Sequence, residues 1–69
     1  MSKIQMNDLV KPREITHEPV LFKIGIVVRS PYESQLKFTE TTIMISYRVD
    51  VLADGKIYEA VLVSDLEKI

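Results

Sequence analysis

Apolar and polar residues alternate most regularly between residues 42 and 63, and this pattern predicts a β-hairpin. Asp54-Gly55 lies at its centre, and this pair suits a two-residue type I′ turn, which needs φ > 0 at both positions. With this turn the pairing is predicted to run outward as Ala53–Lys56, Leu52–Ile57, Val51–Tyr58, Asp50–Glu59, Val49–Ala60, Arg48–Val61 and Tyr47–Leu62.

This register assigns the hairpin side chains to two faces, because successive residues of a strand point to opposite sides. The predicted core face holds Ile45, Tyr47, Val49, Val51, Tyr58, Ala60 and Leu62. The other face is mixed, with charged residues beside several apolar ones. Leu52, Ile57 and Val61 belong to this outer face, so they are candidate partner-binding residues unless other parts of the chain cover them.

The remaining elements are shorter. Asp8–Lys11 is a candidate first strand, and the preceding residues 1–7 are interpreted as an N-terminal arm. Val20–Arg29 predicts a second strand, in which Gly25 indicates a bulge, a bend or a close backbone approach. After the hairpin, Ser64–Ile69 predicts a 3₁₀ turn and a short terminal strand. A single all-β domain of about five strands, residues 1–69, is therefore predicted, with its 3₁₀ turn near the C-terminus.

Residues 30–41 are predicted to form a long loop, because they are too polar for a buried strand and too long for a tight turn. A short strand near residues 36–39 and a helix beginning at Pro31 are the alternatives. Tyr32 and Phe38 are candidate partner-binding aromatics in this segment. The competing interpretation is that both rings fold back and cap the core, which a chain this small needs.

Composition and charge exclude several classes. The 69 residues contain no cysteine, so disulfides and thiolate metal sites are excluded. The formal net charge is −1 and the basic residues are scattered, which argues against binding nucleic acid by phosphate neutralisation. No apolar run has the length of a membrane span, and the first residues lack a signal-peptide pattern. The sequence therefore predicts a soluble intracellular protein.

The order of these elements resembles the small SH3-like barrel proteins encoded by tailed bacteriophages. The resemblance rests on Asp8-Leu9-Val10, on Ile24–Val28, on Asp54-Gly55-Lys56 and on Val63–Ile69. The sequence departs from that pattern at Asn7, where the family has Gly, and in an insert at residues 31–42. The resemblance implies a non-enzymatic, phage-encoded barrel, present in the host cytoplasm or incorporated into the virion, and it carries no functional residues to transfer.

Candidate chemistry is sparse. His17 is the single histidine, and the spacing shows no further ligands around it, so it is interpreted as a solvated loop residue. Asp50 and Glu59 are interpreted as ordinary charges on the sheet surface rather than an acid–base pair. No catalytic residue, cofactor, metal site or small-molecule substrate is predicted.

The expected function is that of a structural or assembly protein acting through protein contacts or self-association. A free interaction module that binds a host protein is the alternative, and a nucleic-acid-binding barrel is a weaker one.

Overall fold

The computed structural model describes residues 3–37 and 39–69, and these fold into a five-stranded antiparallel sheet. The elements in chain order are β1 (Leu9–Pro12), β2 (Gly25–Lys37), β3 (Ile43–Ala53), β4 (Lys56–Leu62), a 3₁₀ turn (Val63–Asp65) and β5 (Leu66–Lys68). The strand order across the sheet is β4-β3-β2-β1-β5. These findings confirm the all-β class, the number of strands and the 3₁₀ turn. No pairing in the described part joins β4 to β5, so closure of the sheet into a barrel stays a prediction.

The core lies on one face of the sheet and combines residues from the N-terminal segment, the loop before β2 and all five strands. Its buried apolar residues are Ile4, Val10, Phe22, Val27, Val49, Val51, Ala53 and Leu66. Ile4 belongs to the segment predicted as an N-terminal arm, and the Asn7 N–H donates to the Val27 carbonyl at 2.7 Å. Ile4 and Asn7 therefore attach this segment to the sheet, while residues 1 and 2 lie outside the described residues, so the N-terminal arm stays a prediction.

The second strand is shifted along the chain from its predicted position. It begins at Gly25 instead of Val20 and continues to Lys37, through the segment predicted as a long loop. Pairing with β3 stabilises this polar segment as a strand, so the loop and the helix alternative are both wrong. Pro31 lies where the β2–β3 register is interrupted between Arg29 and Tyr32, and such an irregularity tolerates a residue without an N–H.

Gly25 is the close backbone approach that the sequence allowed for. A Cβ built at this position would overlap the Val51 side chain and would lie 2.9 Å from the Leu52 carbonyl oxygen. Because glycine has no Cβ, the first residue of β2 can lie directly against Val51 and Leu52 of β3.

The hairpin of β3 and β4 follows the predicted register only near its turn. Pairing of Ala53, Leu52 and Val51 with β4 is confirmed, as is the Asp54-Gly55 turn, whose two residues have φ values of 53° and 74°. Beyond this point the register shifts, and Val49 pairs with Val61 instead of Ala60. Ala60 is the extra residue of this bulge, with φ of 58°.

This bulge exchanges the faces of the last residues of β4. Val61 packs against the core, whereas Ala60 is exposed, the reverse of the prediction. Val49 and Val51 are buried as predicted, but Ile45 and Tyr47, also predicted to be core, are more than half exposed. They lie on the core side of β3 beyond the point where other elements cover it.

The far halves of β2 and β3 form a two-stranded ribbon, here defined as Glu33–Lys37 paired with Ile43–Tyr47. β4 ends beside Arg48, so it does not accompany β3 along the ribbon. None of the ribbon residues is buried. The ribbon lengthens the molecule, whose extents are 39 × 26 × 20 Å.

Candidate functional site

A straight row of apolar side chains crosses the face of the sheet opposite the core. Residues that pair directly across a ladder share a face, and the pairings Leu9–Ile26, Ile26–Leu52 and Leu52–Ile57 connect four strands in succession. Ile69 extends the row past β5, since its N–H donates to the Leu9 carbonyl at 3.0 Å. We call these five residues the outer row.

The outer row is accessible to solvent. Ile57 and Ile69 are 60% and 59% exposed, Leu9 is 51% and Leu52 is 39% exposed, and Ile26 is half-buried between its neighbours. Strands lie about 4.8 Å apart, so five neighbouring positions span about 19 Å. A contiguous apolar stripe of this length on a small monomer is typical of a surface that contacts another macromolecule.

A polar cluster lies beside the outer row, two positions further along β3. The Asp50 carboxylate accepts a hydrogen bond from the Tyr32 hydroxyl at 3.3 Å and lies 3.8 Å from the Arg29 guanidinium. That guanidinium also lies 4.0 Å from the centre of the Tyr32 ring. Burial raises the pKa of Tyr32, and the Asp50 charge raises it further. Tyr32 is therefore bound to Asp50 and Arg29 of the same sheet, and its hydroxyl stays protonated at neutral pH.

Arg48 and Asp50 together hold the bulge at Ala60. Arg48 donates to the Ala60 carbonyl at 2.7 Å, and the Asp50 carboxylate accepts the Ala60 N–H at 3.0 Å. Arg48 also forms two hydrogen bonds with the Glu18 carboxylate, at 2.8 and 3.1 Å. The hydrogen bond with Arg48 lowers the pKa of Glu18 despite some desolvation, and the same pairing raises the pKa of Arg48. These contacts fix the end of β4 and the loop before β2.

Asp65 is a second anchor for that loop, and it is fully buried in the 3₁₀ turn. Its carboxylate accepts the backbone N–H of His17 at 2.8 Å and that of Glu18 at 3.1 Å, and it lies 3.0 Å from the His17 Nδ1. Burial opposes ionisation of Asp65, but the donors of His17 and Glu18 outweigh it, so its pKa is lowered.

The Asp65 carboxylate orients the His17 imidazole, as a carboxylate does in an acid–base site, but the surrounding groups favour a structural role for this pair. A nucleophilic or acid–base site needs a third reacting group that converges on the imidazole. In residues 3–37 and 39–69, no group of three His, Cys, Asp or Glu side chains could hold a metal ion. The His17 side chain is 79% exposed, as the sequence predicts for a loop residue, while its contact with Asp65 was not anticipated.

The residues predicted to bind a partner lie in different surroundings. Leu52 and Ile57 lie in the outer row, and Tyr32 lies in the adjacent polar cluster on the same face. Val61 belongs with the core, which corrects its predicted place on the outer face. Phe38 lies outside the described residues. Three members of the row, Leu9, Ile26 and Ile69, were not predicted, because only the pairing of distant strands brings them beside Leu52.

An open groove lies on the opposite face, beneath the base of the ribbon. It is lined by residues that include Ile4, Arg13, Pro31, Tyr47, Leu66 and Lys68. Lys68 already lies 3.5 Å from Asp8, so part of the positive charge at this groove is paired within the chain.

No family model matches this chain, and no curated protein or solved structure matches it. The described part of the chain contains no helix that is both long enough and apolar enough to cross a membrane.

Proposed function

We propose that the protein is a non-enzymatic assembly protein that docks onto another protein through its outer row. This proposal rests on the alignment of five apolar side chains on the face of the sheet opposite the core. Four of them lie in β1 to β4, and the fifth directly follows β5. Covering such a row with apolar groups of a partner contributes about 25 cal/mol of favourable free energy for each Å² removed from water, from which the entropy cost of association is subtracted. The partner surface is therefore expected to be apolar at its centre.

The charged residues beside the outer row suit a protein interface. Arg29 and Asp50 flank it on one side with opposite charges, which suits the polar periphery of a protein interface. Among the described residues, two basic side chains on this face are already paired, since Arg48 bonds to Glu18 and Lys11 lies 3.5 Å from Glu67. These pairings favour a protein partner over a nucleic acid.

The assembly in question is proposed to be a bacteriophage particle, so that the protein is present in the host cytoplasm and becomes part of the virion. This rests on the resemblance of the sequence to small SH3-like phage proteins. Asn7 lends it support, because its φ of 72° is the left-handed conformation that glycine adopts readily, and the family has Gly at this position. Asparagine is among the few other residues that tolerate this conformation.

The test compares Ile57→Glu with Ile15→Glu in cells that produce the protein. Both isoleucines are largely exposed, at 60% and 85%, but only Ile57 belongs to the outer row. We expect both variants to fold, as measured by circular dichroism, and only Ile57→Glu to be lost from particles purified on a density gradient. Equal incorporation of the two variants would overturn the role of the outer row.

The same experiment separates assembly from the alternative function of binding a free host protein. If the unmodified protein is absent from particles and instead forms a defined complex with one host protein that Ile57→Glu abolishes, the outer row serves host binding. The assembly proposal is then wrong, although the surface is correctly identified.

A further inference from the structure

The open groove on the core side of the sheet is large enough to hold several side chains of a ligand. It lies between the N-terminal segment, the base of the ribbon and β5, and its volume is about 1080 Å³. Pockets for small molecules typically enclose about 300–1,000 Å³ and surround most of their ligand. A groove of this volume that is open to solvent therefore suits a segment of polypeptide better than a compact small molecule.

The floor of the groove is apolar. Ile4 and Leu66 are the most buried of the residues that line it, and Val63 beside them is half-buried. Pro31 and Tyr47 line the groove towards the ribbon, and Tyr47 is 56% exposed. Large apolar side chains of a ligand would therefore leave water when they enter the groove.

Basic side chains surround this floor. Lys3, Arg13 and Lys68 line the groove, and all three are exposed. Lys68 lies 3.5 Å from Asp8. Within residues 3–37 and 39–69, neither Lys3 nor Arg13 forms an ion pair. Both charges are therefore free to meet carboxylates of a ligand.

Negative charge is directed away from the groove. Glu67 is the single acidic residue among the described residues that line it. Because successive residues of a strand point to opposite sides, Glu67 points away from Leu66, and its carboxylate lies 3.5 Å from the Lys11 ammonium. Glu33 pairs with Tyr47 in the ladder but does not line the groove. The groove is therefore positive, although the whole chain has a net charge of −1.

We propose that the open groove binds an extended acidic segment of another protein, in which large apolar residues are flanked by Asp or Glu. The apolar side chains of this segment contact Tyr47 and Val63, and its carboxylates pair with Lys3 and Arg13. The Arg13 backbone is fixed for this purpose, since its N–H donates to the Asp65 carbonyl at 2.8 Å. A guanidinium can hold a carboxylate through two parallel hydrogen bonds.

An acidic peptide fits the groove better than a single-stranded nucleic acid does. Sites for single strands combine basic residues with aromatic side chains on which successive bases stack. Among the described residues that line the groove, Tyr47 alone is aromatic, and the floor is aliphatic. Aliphatic groups offer neither stacking partners nor hydrogen bonds to bases, whereas they pack well against Leu, Ile or Phe of a peptide.

The test uses an array of synthetic peptides that vary independently in their content of acidic, basic and large apolar residues. Peptides of about eight residues extend to about 26 Å, which is long enough to cross the groove. We expect the labelled protein to select peptides that combine large apolar residues with Asp or Glu. Fluorescence anisotropy with the best peptide is expected to give a Kd of roughly 10–100 µM, because few contacts are made and the peptide must be ordered.

Arg13→Glu is the decisive variant, and Lys23→Glu is its matched control. Both changes alter the net charge equally at an exposed position, but Lys23 does not line the groove. We expect Arg13→Glu to weaken binding of the acidic peptide about tenfold and to strengthen binding of the same peptide with Lys in place of its acidic residues. Lys23→Glu is expected to change neither affinity by more than about twofold. Tyr47→Ala is expected to weaken both peptides about tenfold, since it removes an apolar contact.

Four results would overturn this inference. They are an array without preference for acidic peptides, equal affinities of Arg13→Glu and Lys23→Glu, tighter binding of oligothymidylate than of any peptide, and loss of peptide binding in Ile57→Glu. The third would make the groove a nucleic-acid site, and the fourth would place the peptide on the outer row. Circular dichroism, together with the binding of the basic peptide by Arg13→Glu, shows that this variant is folded. The groove and the outer row share no residue and lie on opposite faces, so failure here leaves the particle experiment on Ile57 intact, and the reverse also holds.

Discussion

Replacing Ala60 by glycine is expected to stabilise the protein. Ala60 adopts φ of 58°, a left-handed conformation in which its Cβ lies too close to the backbone. The conformation is maintained because Asp50 accepts the N–H of Ala60 while Arg48 donates to its carbonyl. Glycine makes the same two backbone hydrogen bonds without the steric conflict.

The magnitude follows from two opposing contributions. Relieving the left-handed conformation of a residue with a Cβ gains about 1–2 kcal/mol. The greater freedom of glycine in the unfolded chain takes back about 0.4–1 kcal/mol. The methyl group of Ala60 is exposed, so its removal sacrifices little packing. The net gain is about 0.5–1 kcal/mol, which corresponds to a rise in Tm of about 2–8 °C for a domain of this size.

The measurement is thermal unfolding followed by circular dichroism, supported by urea titration. Ala53→Gly is the matched control, because it is the same chemical change at a buried position within β3. We expect Ala53→Gly to lower the free energy of unfolding, since it loses core contacts and adds freedom to the unfolded chain. If Ala60→Gly is destabilised as well, the bulge does not strain residue 60 and the reasoning fails.

Three further predictions concern the core, the buried carboxylate and the close approach of β2 to β3. Val61→Glu is expected to lower the free energy of unfolding by about 2 kcal/mol or more, because it places a charge against the core, whereas Leu52→Glu changes it by less than about 1 kcal/mol; similar urea midpoints for the two would contradict the assignment of faces. Asp65→Asn is expected to cost about 1–3 kcal/mol at neutral pH. Because the folded pKa of Asp65 is lowered, its carboxylate stabilises the folded protein fully above the unfolded pKa, near pH 4, and this stabilisation is lost as the pH falls through the folded pKa. Asp65→Asn is therefore expected to lose less stability in acid than the unmodified protein does. Parallel curves of Tm against pH for the two proteins would refute this. Gly25→Ala is expected to destabilise by about 1–3 kcal/mol, because its Cβ meets backbone as well as the Val51 side chain, and an unchanged denaturant midpoint would show that the strands separate at little cost.

The predictability of the fold depended on how local each signal was. Asp54-Gly55 and the three pairs nearest to it are confirmed, because a tight turn fixes the register of the residues beside it. The bulge at Ala60 could not be predicted from the residues around it, since it is held by the side chains of Arg48 and Asp50 on another strand. A single extra residue then exchanged the predicted faces of Ala60 and Val61.

The two ends of β2 were misjudged for different reasons. Val20–Ile24 has the apolar character of a strand but forms a loop. Phe22 enters the core from this loop, with its ring centre 5.2 Å from that of Tyr58, whereas Leu21 is 81% exposed. Residues 30–37 look too polar for a strand, because the ribbon is accessible to solvent on both faces and burial imposes no alternation on it.

The candidate site was predictable only in part. Leu52 and Ile57 were identified because they pair within one hairpin. Leu9, Ile26 and Ile69 join them through pairings between segments that are far apart in the chain. The role of Asp65 was missed for the same reason, since its donors lie 47 and 48 positions earlier.

The unequal burial along β3 implies that its amide protons exchange with solvent by two different routes. The amides of Val49 and Val51 lie in the core, so their exchange is expected to require global unfolding. The ribbon contains no buried residue, so its amides are expected to exchange through local opening that leaves the core intact. One strand therefore spans two cooperative units, and any partner that binds the ribbon should slow exchange there long before it changes the exchange of the core.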